Sequence, residues 1–392
     1  MEKFKVPSKT KNILLACIGI GVISLVAGFL VDPARAWSGL LVIGWYVLTI
    51  ALFGGFFTAL QFIGGAKWSV VVRRVTESMV WIVPVALLLI IGVFFGLDHI
   101  YEWADIEWLK AQHFQEGKET FFNKNFFMAR LLGYFVIWTL VGFWMRSVSL
   151  KQDTTKDPAT RTKLTKISTG YMLFFAYSIA LTAIDLIMSV EPHWYTTMFP
   201  IYCFAGLAYT GFGALILITS HVKANGGLTG MTKEHFHDLG KYQFVFTVFW
   251  GYIAFSQHML TWYANLPEET IYLEHRLSGA WGYFTIFLWL GHFVIPLFIL
   301  LSSKLKRTPH KLARVAWLTT FMGFVDVVWM VYAGDLQRHH FHDFPFKWME
   351  LGLYIGAVGI IGFVVLTAYS KVVPEPIGDP YYEDSLNFHQ TH

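Results

Sequence analysis

Four ionisable side chains fall inside long apolar stretches of the sequence: Arg130, Asp185, His258 and Asp326. Burying such a group in hydrocarbon costs at least ~2.5–3.5 kcal/mol, so each one needs a physical reason to be there. At a rise of ~1.5 Å per residue, all four lie about 6–11 Å from the same side of their stretches. One guanidinium, two carboxylates and one imidazole at a shared depth can form a nearly neutral cluster. Such a cluster has two readings: a path that passes protons through carboxyl and imidazole groups, or a structural ion pair with Arg130 snorkelling outward. His292 lies in the middle of another stretch and is either a further proton-path residue or a packed core histidine. Paired with His258 it suggests the axial ligands of a b-type haem, which must lie at nearly equal depth. Their depths differ by roughly 13 Å on the same rise, which argues against a haem held by this pair.

Other cofactor chemistry finds little support. Cys17 and Cys203 both sit in apolar stretches, and no C-x-x-C-H occurs to attach a c-type haem. Gly226-Gly227-Leu228-Thr229-Gly230 lacks the spacing of a phosphate-binding loop. The run Arg338-His339-His340-Phe341-His342-Asp343 offers three imidazoles without a second cluster to fix metal geometry, so it reads as a solvated interface. Glu191-Pro192-His193-Trp194, Glu268-Glu269 and Asp335 also lie at stretch ends. The net charge of +4 is spread over separate loops, which excludes a nucleic-acid patch.

The elements that position these residues must be membrane helices. With 55% hydrophobic and only 14% charged residues, the chain cannot bury its apolar surface in water alone, so lipid takes part of it. Ten stretches are long enough to cross: Asn12–Val31, Trp37–Ile63, Met79–Leu97, Phe126–Met145, Ile167–Val190, Tyr195–Ser220, Tyr242–Ala264, Leu277–Ser302, Leu312–Ala333 and Trp348–Ala368. None alternates polar with apolar as a barrel strand would. The expected fold is therefore all-α and polytopic, with ten transmembrane helices. Ala34-Arg35-Ala36 looks like a cleavage site, but the apolar run before it is too long for a signal segment and reads as a true span. Loops on the N-terminal side carry 22 Lys and Arg residues against 7 on the other, which predicts that both termini are cytoplasmic. The tail after Lys371, with Pro374, Pro376 and Pro380, reads as irregular.

Gly133-Tyr134-Phe135-Val136-Ile137 with Gly142 matches Gly282-Tyr283-Phe284-Thr285-Ile286 with Gly291 at a constant offset. A parallel repeat of four spans follows, or else chance likeness between apolar helices. The repeat divides a single membrane domain into a bundle over residues 37–190 and another over 195–333, flanked by helices over 12–31 and 348–368. Gly352, Gly356 and Gly359 line one face of the last span, for packing inside the bundle or against another subunit. Trp37, Trp81, Trp194, Tyr195, Trp262, Tyr263, Trp348 and Tyr369 stand at span ends as interfacial belts.

Two stretches resemble a known family. Ala183-Ile184-Asp185-Leu186-Ile187-Met188-Ser189-Val190-Glu191-Pro192-His193-Trp194 through Phe199 is similar to the F subunits of bacterial alternative complex III. So is the segment from Asp238-Leu239-Gly240-Lys241 through Gln257-His258-Met259-Leu260-Thr261-Trp262 to Thr270. Those subunits are related to the NrfD and polysulfide-reductase membrane subunits, built as two four-helix bundles plus extra spans. The resemblance implies a place in the bacterial cytoplasmic membrane, within a complex that oxidises quinol, usually menaquinol. It implies a multihaem cytochrome c, an iron–sulfur subunit and a second NrfD-like membrane subunit as partners. Haem c and iron–sulfur clusters would then sit in those partners, with none bound by this chain and quinone as its possible ligand. The role implied is accessory: proton conduction or support of quinol oxidation, with Asp185 the clearest carry-over and His258, Asp326, Arg130 and His292 resting on depth and position. The quinol-binding C-type subunit of the same complex, or a stand-alone secondary transporter, are the alternatives.

Overall fold

A computed structural model describes residues 2–111, 118–334 and 345–389, apart from the side chains at 119 and 268. Among these residues the chain is helical throughout, with no strand. The principal helices are α1 (Ser8–Val31), α2 (Pro33–Ile63), α3 (Arg73–Met79), α4 (Ile82–Phe94), α5 (Lys124–Thr155), α6 (Ala159–Leu186) and α7 (Phe199–Ala224). They are followed by α8 (Lys233–Ala264), α9 (Pro267–Leu277), α10 (Gly279–Leu288), α11 (Ile295–Leu300), α12 (Pro309–Gly334) and α13 (Trp348–Ser370). Nine described segments are long and apolar enough to cross a membrane, with α3 and α4 counted together and α10 joined to α11. The protein is an all-α, multi-pass membrane protein. The remaining expected span, Tyr242–Ala264, lies within α8, a 32-residue helix whose apolar character is diluted by Gln243, Thr247, Gln257 and His258.

Helix α2 is the hub. Its apolar run has no polar face, as a helix buried on all sides requires, and it is buried along almost its whole length. Asp32 caps it by accepting the Arg35 backbone N–H at 3.2 Å, and Pro33 opens it, where a missing N–H costs nothing. Around α2 pack α4, α6, α7 and α12. Helix α1 is peripheral and packs along α13. A Cβ added to Gly356 would come within 2.7 Å of the Gly21 Cα, so the small residues of the last span serve packing inside this chain. Of the expected belt residues, Trp194 and Tyr369 are instead buried in the fold, whereas Trp262 and Tyr263 are exposed.

Phe4 packs edge-on against Tyr369 at 5.7 Å, which places the N-terminal segment and the end of α13 on one face. We name it the terminal face, and the opposite one the distal face. The tail is irregular up to Tyr381, as expected, and carries one short helix over Tyr382–Leu386, yet it is packed into the fold. Asp379 is fully buried between Arg73 (Nη1–Oδ2 2.6 Å) and Arg161 (Nη1–Oδ1 3.1 Å). Glu375 accepts the Gly230 N–H at 2.8 Å and the Tyr382 hydroxyl at 2.6 Å, while Ser385 donates to the Trp68 carbonyl at 2.7 Å. Burial alone would raise the Asp379 carboxyl, but Arg73 and Arg161 hold it below its ordinary value. Asp379→Ala removes the carboxylate shared by Arg73 and Arg161, leaves Arg73 with Glu77 alone (3.4 Å), and should cost up to about 3–5 kcal/mol, the scale of breaking a buried pair. A lowered unfolding temperature in detergent and faster proteolysis after Lys371 are the expected readouts. Unchanged values would show that the tail is only draped on the surface.

Candidate functional site

The polar residues expected at one depth do not form one cluster. Arg130 on α5 pairs with Asp185 on α6: Nη2 donates to Oδ1 at 2.7 Å and Nε to Oδ2 at 3.3 Å. The remaining guanidinium N–H groups reach the Phe121 carbonyl at 3.2 Å, and the rings of Phe121 and Phe126 lie 4.1 and 4.3 Å from the guanidinium carbon. The Asp185 carboxylate is fully buried, and the Arg130 side chain retains 10% exposure. Arg130 therefore leans towards the distal face, as snorkelling predicts, yet it holds its carboxylate with both arms of the fork.

Asp326 sits apart from that pair, among α7, α8 and α12. Tyr202 donates its hydroxyl to Oδ1, and Trp250 donates Nε1–H to Oδ2 at 3.2 Å. Among the described residues no Lys or Arg forms an ion pair with it. A buried carboxyl without a counter-cation is expensive to ionise, so the two neutral donors are its whole compensation.

His292 lies beside it, through Trp250. Residues Trp289–Val294 form a π-helical turn between α10 and α11. Its cause is legible: Pro296 has no N–H to give the carbonyl four residues back, which is that of His292, and its ring crowds that carbonyl. The wider turn brings the imidazole between two rings, 3.8 Å from Tyr209 and 3.8 Å from Trp250. Among the described residues neither ring nitrogen of His292 has a hydrogen-bond partner, although the residue is fully buried. The Tyr209 hydroxyl and the Gln243 Oε1 are also without partners among the described residues, and Gln243 Nε2 donates to the Tyr209 carbonyl at 3.2 Å. Unpartnered polar atoms in a core each cost about 1–3 kcal/mol, so a cluster of them calls for a role. Gln243, Trp250 and Gln257 recur every seven residues on α8, which sets them along one buried face.

His258 is half-buried and joins neither carboxylate. It stands on the wall of a cleft of about 410 Å³ that Tyr202, Trp250, Arg276, Trp289 and Trp329 also line. The run 338–343 and Asp335 lie outside the described residues.

Sequence reasoning missed several further buried charged sites, Arg35 with Glu350 (Nε–Oε1 2.8 Å) among them. Arg276, assigned to a loop, is buried and donates to Glu191 at 2.7 Å, to the Met330 carbonyl at 3.1 Å and to the Tyr272 carbonyl at 3.0 Å. On the terminal side, Arg74 is fully buried against Glu77, Asp153 (2.6 Å) and Ser149 (2.8 Å). Arg146 donates to Ser78 at 3.1 Å and to the Ala368 carbonyl at 3.2 Å. These arginines counted only as topology signals in the sequence. The Arg74–Glu77 spacing of three residues, one helical turn, was the available sign.

Fold and site together define a multi-pass α-helical membrane protein with buried carboxylates of two kinds, Asp185 ion-paired and Asp326 held by neutral donors. No family model matches the chain, and no curated protein matches it either.

Proposed function

We propose that this chain is a membrane subunit of a quinol-oxidising electron-transfer complex of the alternative complex III kind, and that it conducts protons through its second bundle. The observation that carries the reading is Asp326: a buried carboxyl with two neutral donors, one ring away from an imidazole whose nitrogens lack partners. A carboxyl of this kind can take up and release a proton without breaking an ion pair. His292, Tyr209 and Gln243 extend the polar line from it along α8. The two stretches that resemble the F subunits contain Asp185 of the Arg130 pair, Glu191 of the Arg276 pair, Trp250 beside Asp326, and Gln257 and His258 of the cleft.

In this reading the chain lies in a bacterial cytoplasmic membrane with the terminal face inward, as the 22-to-7 split of Lys and Arg supports. Partner subunits carry the haem c and iron–sulfur centres on the distal side. Mild detergent extraction and a native gel test the assembly: the band containing this chain should stain for haem. A colourless monomer active in transport would overturn the proposal in favour of a stand-alone secondary transporter.

A further inference from the structure

A cavity of about 660 Å³ opens on the terminal face, between the N-terminal segment, the start of α1 and the end of α13. Phe4 fixes its rim. That ring is buried 5.7 Å from Tyr369, and a Cβ added to Gly227 would come within 3.0 Å of it. The exposed Lys3 and Lys5, which flank Phe4 in sequence, are therefore held at the cavity, and Lys11 in the first turn of α1 joins them. Among the described residues none of the three has an ion-pair partner. Against one carboxylate on the same wall, Glu2, three lysines leave a balance of +2. Below the rim the wall turns apolar at Leu14, Phe363 and Leu366.

Leu14 and Leu366 also line a second cavity of about 160 Å³. It is an apolar groove between α1 with α13 and α7 with α12, and it reaches Tyr46 and Ile50 on α2. Its polar end is marked by Thr10 Oγ1 and His221 Nε2, 3.4 Å apart. From there it runs along α7 to Ala214 and along α13 from Leu366 to Val358, which is ~10–12 Å at ~1.5 Å per residue. A free anion has no use for such a groove, and a neutral hydrocarbon has none for the lysines. A lipid with an anionic head uses both, because lysines at a membrane boundary keep their ammonium groups at headgroup level and attract anionic lipids. The rim cavity is also far larger than a single carboxylate needs, which favours a glycerol phosphodiester head over a fatty acid.

We infer that the terminal face carries a site for an anionic glycerophospholipid, its phosphate among Lys3, Lys5 and Lys11 and one acyl chain in the groove beside Leu14 and Leu366. The site goes beyond the proposed function and does not depend on it.

The full chain, with any partners it extracts with, tests this in phosphatidylcholine nanodiscs doped with a phosphatidylglycerol that carries a diazirine on one acyl chain. Mass spectrometry should find adducts within 10–14, 214–221 and 358–366. The same probe with a phosphocholine head should label these segments at least tenfold less. Lys3→Gln, Lys5→Gln and Lys11→Gln combined, all at exposed positions, should bring phosphatidylglycerol labelling down to the phosphocholine level. Leu217→Trp, which fills the groove from a half-buried position, should lower labelling with the lysines intact. Should that variant not accumulate, the lysine variant decides. Equal labelling by the two heads, adducts elsewhere, or a lysine variant that labels like wild type would overturn the site. Competition by inorganic phosphate beyond that of chloride at equal ionic strength would assign the lysines to a free anion and overturn the lipid. Competition by oleate as strong as by phosphatidylglycerol would do the same in favour of a fatty acid.

Discussion

Asp326→Asn is expected to lower quinol turnover by the assembled complex by about 10²-fold, the scale on which a positioned proton-transfer group contributes. The fold should survive the change. Asp326 accepts from Tyr202 and Trp250, and asparagine can still accept the indole N–H through its oxygen. Its amide N–H₂ then faces Tyr202, whose hydroxyl can rotate to accept. The substitution thus removes the titrating group while keeping shape and hydrogen bonds. Tyr202→Phe removes one donor from the same carboxyl and should slow turnover by less. Turnover per assembled complex is the measurement, and full activity in Asp326→Asn would mean that this carboxyl only braces three helices.

Arg130→Gln is expected to act on stability. It removes the forked partner of a fully buried carboxylate, and losing one member of such a pair costs about 3–5 kcal/mol. The yield of folded complex and its unfolding temperature should fall sharply. The double variant Arg130→Gln with Asp185→Asn should recover much of the loss, because two amides can pair without burying a charge. A double-mutant cycle isolates this coupling. A cost below about 1 kcal/mol for Arg130→Gln alone would show that the guanidinium snorkels into water, where exposed pairs contribute that little.

Much of the fold was legible because membrane helices announce themselves by length and apolarity: six of the ten spans drawn from the sequence fall inside single observed helices, while Met79–Leu97, Ile167–Val190, Tyr195–Ser220 and Leu277–Ser302 overrun helix ends or breaks. Arg130 and Asp185 could be read as paired because both lie at one depth in consecutive spans. The same depth argument placed Asp326 in that cluster, and there it failed: depth fixes only one coordinate, and α7, α8 and α12 close around Asp326 away from α5. His292 could be read only as a proton-path residue or a packed core histidine, since the setting of its ring nitrogens depends on the π-helical turn before Pro296. Arg276, Arg74 and Asp379 escaped notice because charged residues outside apolar runs look solvated. Here the distal loop helix α9 and the C-terminal tail fold back and bury them. The glycines of α13 were read correctly as a close-approach face, although only the fold shows α1 as the helix that approaches.

The central claim, that buried carboxylates of this chain carry protons during quinol oxidation, is tested most directly by proton release per electron in proteoliposomes. Wild-type complex is compared with Asp326→Asn, Asp185→Asn and the double variant, each normalised to assembled complex. The account predicts that Asp326→Asn loses turnover or uncouples it from proton movement, and that the double variant does no better. Full turnover with full proton stoichiometry in both single variants would contradict it and leave both carboxylates with structural roles only.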